Sequence, residues 1–247
     1  MDSVTTLMCG SCANENALKV GFMRYAENQR GGPYTDEDAA SSLKNATPGS
    51  PEYSVLSFNG AFHGRLLGVL SCTRSKPIHK VDIPSFDWPA ADFPQLKYPL
   101  EDNVEANAAE EARCLEQVQA IIDDRRATKP VTTMIIEPIQ SEGGDRHASH
   151  DFFRKLRDLA ARNGVWFHVD EVQTGCGPTG RFWCVCVSCR VWLRMCVWLR
   201  VWLCADHVLA MCWRCAGAVQ GARSLGPGEP AGFRHLQQED AGGGVLL

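Results

Sequence analysis

Residues 1–183 alternate short apolar runs with amphipathic stretches, and this alternation limits the fold more than any other feature of the sequence. The apolar runs are rich in β-branched and aromatic residues and are bounded by turn residues, which predicts buried strands. They cover residues 53–58, 131–136 and 165–169. Strands that alternate with helices form a mostly parallel sheet covered by helices, so we predict an α/β fold.

Two amphipathic stretches separate these strands. In residues 104–127, apolar residues recur at helical spacing with acids and arginines on the other face, which predicts a surface helix. A second helix is predicted from Asp151 to a stop at Asn163 and Gly164, directly before the third strand. Residues 75–98 are rich in proline, and we predict that they are irregular.

The alternation ends at Trp183. Residues 184–247 begin with alternating Cys and Val and contain two copies of Val-Trp-Leu-Arg, a low-complexity composition without a folding period. We therefore predict an α/β domain over residues 1–183 and a poorly ordered tail over residues 184–247. Arginines interrupt each apolar run of the tail well below the roughly 18 residues of a membrane-spanning helix, so no transmembrane segment is predicted.

The overall charge and the first residues exclude several classes of protein. A net charge of −4 gives no basic surface for nucleic acid or for an anionic membrane, and neither partner is predicted. The first residues have neither the basic and apolar regions of a secretory signal nor the arginines of a mitochondrial presequence. Seven of the twelve cysteines fall at or after Cys184, and without a secretory signal they indicate a reducing compartment.

Gly10 and Ser11 open a predicted helix, where small residues leave backbone N–H groups unpaired and directed outward. Such a helix start is a natural seat for a phosphate group. A Gly-Ser pair is a weak motif, and by composition alone a simple capped helix start is the more frequent explanation.

The segment 58–65 follows a predicted strand and presents an aromatic ring, an imidazole and a guanidinium on a turn that contains glycines. Phe62 could cover a planar cofactor. Arg65 could pair with a substrate carboxylate through two parallel hydrogen bonds, although a single arginine is more often a surface charge.

Residues 137–144 and 169–175 each follow the carboxyl end of a predicted parallel strand, which is the edge where open α/β sheets bind ligands. An acid at Asp170 could keep a pyridinium nitrogen protonated and so make a cofactor ring an electron sink. From spacing alone, an acid that caps a turn explains Asp170 equally well.

Five motifs, in order and at natural spacing, resemble the 4-aminobutyrate aminotransferase family of class-III enzymes that depend on pyridoxal 5'-phosphate (PLP). They read CGSC-NENALK, SF-GAFHGR, SK-IHK-DIPSFDWP, EPIQSEGGD-HAS-DFFRKLRD and VDEVQTG, and the resemblance covers most of residues 3–183. It implies part of the large, PLP-binding domain of a fold type I transferase. The implied reaction is transfer of the amino group of 4-aminobutyrate to 2-oxoglutarate, by a homodimer in the mitochondrial matrix.

The resemblance also implies which residues contact the cofactor. Gly10 and Ser11 would bind the PLP phosphate, and Asp170 would face the ring nitrogen. Phe62 and Val172 would lie on the two faces of the ring.

Further positions would contact substrate or metal by the same resemblance. Arg65 would bind the substrate carboxylate, and Glu142 and Gln173 would lie beside the substrate and the cofactor ring. Cys9 and Cys12 match a pair that ligates a [2Fe–2S] cluster at a dimer interface. Two thiolates are half of a four-cysteine site, so a second subunit would be needed.

The lysine that forms the Schiff base with PLP is expected to be absent, since no lysine follows Lys155. The family has this lysine after VDEVQTG, in a segment similar to Thr-Phe-Ser-Lys-Lys-Met. Codons for that segment, read two bases out of frame, spell the Leu-Gln-Gln-Glu-Asp of residues 236–240. We interpret the tail as intron or out-of-frame sequence and expect this chain to be inactive.

Two alternatives to an active enzyme remain open. The chain is a non-catalytic truncated isoform or the product of a mispredicted gene, or its tail is a metal-binding module. The tail pairs Cys186 with Cys189 and Cys212 with Cys215, a spacing typical of zinc sites. A repeated TG sequence, which translates as alternating Cys and Val, accounts for the enrichment in cysteine without a metal.

Overall fold

The computed structural model describes residues 5–180, Cys184 and the backbone of residues 209 and 210. Its helices are α1 (Gly10–Arg30), α2 (Asp36–Ser42), α3 (Leu67–Cys72), α4 (Val104–Arg125) and α5 (His150–Arg162). Its strands are β1 (Ser54–Phe58), β2 (Ala90–Ala91), β3 (Val131–Ile136), β4 (Trp166–Asp170) and β5 (Leu209–Ala210). The rest of the predicted tail, including its paired cysteines and residues 236–240, lies outside the described residues.

The predicted α/β class is confirmed, because the five strands form one parallel sheet in the order β2-β1-β3-β4-β5. The three strands predicted from sequence are β1, β3 and β4, and the three predicted helices are α1, α4 and α5. The stretch predicted to be irregular contains a 3₁₀ turn at Pro77–His79 and the two-residue strand β2. A strand of two residues has too little sequence for an apolar run to reveal it.

Helices cover both faces of the sheet. On one face α4 and α5 pack against side chains that include Leu56, Met134 and Phe167, and all three of these are buried. On the other face the smaller cluster of α1, α3 and the sheet includes Val55 and Ile135. Successive residues of one strand thus belong to opposite clusters, as the pleat of a strand requires. Burial on both faces explains why the strands read as continuous apolar runs.

None of the described helices combines the length and the apolar character that crossing a bilayer requires.

His168 is an unusual member of this core. It lies on β4 opposite Ile135, it is 1% exposed, and neither ring nitrogen has a hydrogen-bond partner among the described residues. Burial lowers the pKa of His168 to about 4, so the ring is neutral at pH 7. A buried polar group without a partner costs about 1–3 kcal/mol.

Replacing His168 with leucine is expected to stabilise the fold by about 1–2 kcal/mol, because leucine fills a similar volume without polar atoms that need partners. Urea unfolding of the full chain at pH 7 measures this change. A His168→Leu chain that unfolds at lower urea than the parent would show that the imidazole has a stabilising contact.

Candidate active site

The carboxyl ends of β1, β3 and β4 lie at one edge of the sheet, because the strands are parallel and paired in register. β1 leads into the turn that carries Phe62 and His63, β3 leads into Glu137, and β4 ends at Asp170. The first turn of α1 lies against the same edge, where Gly10 contacts Val172. Residues that are far apart in sequence therefore surround one site.

The first turn of α1 is held closely against this edge. A Cβ atom added to Gly10 would lie 2.7 Å from Cγ2 of Val172, so no larger residue fits without a shift. The Ser11 hydroxyl accepts hydrogen bonds from the backbone N–H groups of Arg65 (2.8 Å) and Leu66 (3.3 Å). A hydroxyl can accept two bonds and still donate one, so Ser11 keeps its hydrogen for an anion. The N–H groups at the start of a helix, which have no intrahelical acceptor, add further donors.

Asp170 is the most strongly held side chain of the site. Its Oδ2 accepts hydrogen bonds from Asn14 Nδ2 (2.8 Å) and His63 Nδ1 (2.9 Å), and its Oδ1 accepts from the Val172 N–H (3.1 Å). Burial alone would raise the pKa of Asp170, but the hydrogen bond and charge of His63, with the Val172 N–H, lower it overall. The side chain is therefore an ionised carboxylate although it is only 4% exposed.

Asn14 and His63 are positioning residues that the sequence analysis did not assign. Asn14 Nδ2 also donates to the His63 carbonyl (3.0 Å), so this amide joins α1 to the turn after β1. Because an ionised carboxylate only accepts hydrogen bonds, His63 carries its hydrogen on Nδ1. The available signal was a single asparagine on the face of α1 that is otherwise formed by buried Ala13, Ala17 and Leu18.

A second group of side chains surrounds Phe62. The His79 ring meets the Phe62 ring edge-on at 5.2 Å between centroids, and Cζ of Arg65 lies 6.0 Å from the Phe62 centroid. Glu142 accepts hydrogen bonds from Lys76 Nζ (2.7 Å) and His79 Nε2 (3.5 Å), which lower the pKa of its carboxyl group. The predicted substrate residue Glu142 is thus linked through His79 to the predicted ring-binding residue Phe62.

Three of the other predicted site residues are more exposed to solvent than Asp170. Gln173 is exposed on the turn after β4. Cys9 and Cys12 are partly exposed, with their Sγ atoms 3.6 Å apart. Among the described residues no group of three or more His, Cys, Asp or Glu side chains could hold a metal ion.

Glu137 is a buried acid that directly supports the Phe62 turn. Its Oε2 accepts the Phe62 N–H at 2.9 Å, and the residue is 4% exposed. Burial raises the pKa of Glu137 to about 7, against the opposing effects of His63 and the Phe62 N–H. The ordinary value is 4.5, so the folded chain binds this proton more tightly than the unfolded chain does.

Substitution of Glu137 by glutamine is expected to make folding less sensitive to pH. The contribution of Glu137 is fully present below pH 4.5 and is lost as pH rises to about 7, by roughly 3 kcal/mol in total. Glutamine keeps an oxygen for the Phe62 N–H and does not ionise. Urea unfolding at pH 5 and pH 8 measures the difference, with the exposed Glu116→Gln as control. Equal pH dependence in the parent and in Glu137→Gln would contradict the prediction.

Comparison with known proteins is consistent with this geometry. The class-III aminotransferase family matches residues 1–188. The chain is 58% identical over 186 residues to a 4-aminobutyrate aminotransferase of Emericella nidulans, covering 74% of this chain and 37% of that protein. It is also 58% identical over 185 residues to the mitochondrial 4-aminobutyrate aminotransferase of Homo sapiens, with the same coverage.

A solved structure of a lysine aminotransferase from M. tuberculosis matches with a TM-score of 0.60 and 30% identity, over 87% of this chain and 45% of that one. The chain spans little more than a third of the length of the curated relatives, since it covers 37% of each of them. The family match extends over the whole α/β domain, including every side chain of the site described above. The chain belongs to the class-III aminotransferase family.

Proposed function

We propose that this chain is the PLP-binding part of a 4-aminobutyrate aminotransferase, an enzyme that transfers the amino group of 4-aminobutyrate to 2-oxoglutarate. The observation that carries the proposal is the buried, ionised Asp170, held by three hydrogen bonds next to the first turn of α1. The identity of 58% to two relatives of that name supports the choice of substrates.

The residues present fit PLP. The donors of Gly10 and Ser11 suit its phosphate group, and Val172, which lies close to Gly10, would form one wall of the ring site. Phe62 would form the other wall; its N–H donates to Glu137 and its ring meets the ring of His79 edge-on. When bound, PLP supplies an electron sink for removal of a proton from the substrate carbon that carries the amino group.

In the reaction of the complete enzyme, the residues of this chain would hold charge and orient the bound groups. Asp170 would hold a proton on the ring nitrogen of bound PLP, because a desolvated carboxylate strongly favours a positive partner. Arg65 binds the substrate carboxylate. No carboxylate among the described residues forms an ion pair with Arg65, whereas Lys76 pairs with Glu142. Glu142 and Gln173 would lie beside the substrate and the ring.

Turnover needs a lysine that forms a Schiff base with PLP and then transfers a proton to or from the substrate carbon. The printed chain has no lysine after Lys155, and Lys155 lies on the outside of α5 in an ion pair with Asp151 (2.6 Å). We therefore propose that this chain binds the cofactor without turnover. It would be a non-catalytic isoform or the product of a mispredicted gene. In either case the aminotransferase domain would end near Trp183.

Three further properties are proposed from the relatives and from the two thiols. A second copy of the chain would complete a homodimer, and Cys9 and Cys12 from each copy would together supply the four thiolates of a [2Fe–2S] cluster. The mitochondrial relatives favour a mitochondrial location.

A titration of the purified chain with PLP tests the proposal. We expect a saturable change in absorbance that pyridoxal, which lacks the phosphate, does not produce. Asp170→Asn should weaken the change, whereas Asp158→Asn on exposed α5 should not. Equal responses to PLP and pyridoxal would overturn the phosphate site.

The same samples test inactivity. After borohydride reduction we expect no single modified lysine by peptide mapping, and no glutamate from 4-aminobutyrate and 2-oxoglutarate. One stoichiometrically modified lysine together with glutamate formation would show that another lysine replaces the missing one.

A further inference from the structure

Side chains of α1 hold the backbone of the segment that carries Arg65. The six-residue helix α3 begins directly after this segment, and the side chain of its N-cap residue, Leu66, makes no capping hydrogen bond. Ser11 of α1 accepts the N–H groups of both Arg65 and Leu66. A helix as short as α3 is marginal by itself, so it depends on contacts from neighbouring elements.

Glu15 lies one turn further along α1 and supplies the missing cap. Its Oε2 accepts the N–H of Val69 at 2.8 Å. Val69 is the third residue of α3, so its N–H has no acceptor within that helix. Gly68 lies so close that an added Cβ atom would be 2.6 Å from Oε1 and 2.8 Å from Oε2 of Glu15. The carboxylate is therefore packed against the first turn of α3, where a negative charge also favours the helix dipole.

We propose that Glu15 is a positioning residue for Arg65, an inference that rests on the proposed role of Arg65 in binding the substrate carboxylate. Arg65 lies between two anchors on α1, since its own N–H donates to Ser11 and the N–H of Val69 donates to Glu15. Ser11 also belongs to the proposed phosphate site. One turn of α1 therefore sets the distance between that phosphate site and the backbone from which the Arg65 guanidinium extends.

The influence of Glu15 on Arg65 passes through the backbone of residues 65–69. Among the ion pairs of the described residues, none joins Glu15 to Arg65. Without the carboxylate, the first turn of α3 loses its cap and the segment before it becomes less ordered. A carboxylate ligand then has to order this segment as it binds, which lowers its affinity. The phosphate site keeps Ser11 and the start of α1, so its affinity is unaffected.

Hydrogen exchange of the full chain tests the contact. In Glu15→Ala we expect faster exchange of the backbone amides in residues 65–72, because their local opening becomes easier. Glu15→Gln keeps an acceptor oxygen and should stay near the parent. Glu27→Ala is the matched control, because Glu27 lies on the same helix and pairs with Arg24 there. Unchanged exchange in Glu15→Ala would overturn the proposal.

Two ligands separate positioning from general stability. Pyridoxamine 5'-phosphate carries the phosphate but no reactive aldehyde, and it probes the phosphate site. Glutarate, a dicarboxylate, probes Arg65 in the chain saturated with pyridoxamine 5'-phosphate. In Glu15→Ala we expect the Kd of glutarate to rise about fivefold, the typical effect of one helix cap, with the Kd of pyridoxamine 5'-phosphate unchanged. Glu15→Gln should restore most of the affinity for glutarate.

The remaining outcomes of these titrations separate this inference from the proposed function. An equal loss of affinity for both ligands, or no loss for glutarate, would overturn the positioning role while the proposed function stands. If the parent chain binds neither ligand, the proposed function fails and the positioning role fails with it. The exchange measurement would then still show whether Glu15 caps α3.

Gly68→Ala gives the sharpest test, because its two effects have opposite signs. Alanine favours a helix more than glycine does, so it should strengthen α3 itself. The added Cβ atom would displace the carboxylate of Glu15, which is the end of a flexible side chain and can rotate away. We therefore expect the Kd of glutarate to rise as in Glu15→Ala. A Gly68→Ala chain that binds glutarate as tightly as the parent would show that Arg65 does not depend on the contact with Glu15.

Discussion

Replacing Gly64 with alanine is expected to cost about 3 kcal/mol or more of folding stability and to eliminate the proposed binding of phosphate at α1. Gly64 has a φ of 114°, which side chains rarely adopt. A Cβ atom at this position would collide with Ser11 Oγ and would lie 2.9 Å from Ser11 Cα. Rotation of the serine cannot remove the second contact, because it involves the backbone. The start of α1 would therefore have to move away from the turn.

Gly144→Ala is a matched control for this substitution. Gly144 has nearly the same φ, 112°, but an added Cβ atom would meet nothing within 4 Å. The difference between the two alanine variants therefore isolates the collision with Ser11 from the backbone strain. Urea unfolding measures the free energy of unfolding. Titration with pyridoxamine 5'-phosphate measures the affinity of the proposed phosphate site. A Gly64→Ala chain as stable as Gly144→Ala would show that Ser11 does not determine the turn.

The strands that define the fold could be predicted because burial on both faces leaves long apolar runs. Residues 131–136, for example, are all buried in β3, and their short length, β-branched composition and flanking turn residues favour a strand over a buried helix. The placement of residues 137–144 and of Asp170 at one edge also follows, since parallel strands end on the same side. These predictions needed only local pattern and the geometry of a parallel sheet.

The supporting residues of the site could not be predicted by the same reasoning. Asn14 meets Asp170 across 156 residues of sequence, and His63 meets it across 107. Neither contact has a local signature, because each depends on how α1 and the turn after β1 pack together. The raised pKa of Glu137 likewise results from burial beneath that turn, which no spacing of residues reveals.

Asp170 should show the second large effect, because three donors converge on its two oxygens. Asp170→Ala would leave the donors of Asn14, His63 and Val172 buried without an acceptor, at an expected cost of about 3–5 kcal/mol. Asparagine should cost less, about 1–3 kcal/mol. Its oxygen can replace Oδ2 and serve Asn14 and His63, and only the Val172 N–H then faces a second donor.

The pH dependence separates charge from hydrogen bonding at this position. The pKa of Asp170 is lowered from 3.8, so its contribution is present above pH 3.8 and is lost as pH falls through the lower value. Asp170→Asn should remove that acidic dependence and should weaken PLP binding at neutral pH, because no negative charge remains for the ring nitrogen. Urea unfolding between pH 3 and pH 7 measures the first effect, and PLP titration measures the second. If Asp170→Asn matches the parent in both measurements, a neutral acceptor is sufficient, and the carboxylate has no role in holding a positive ring.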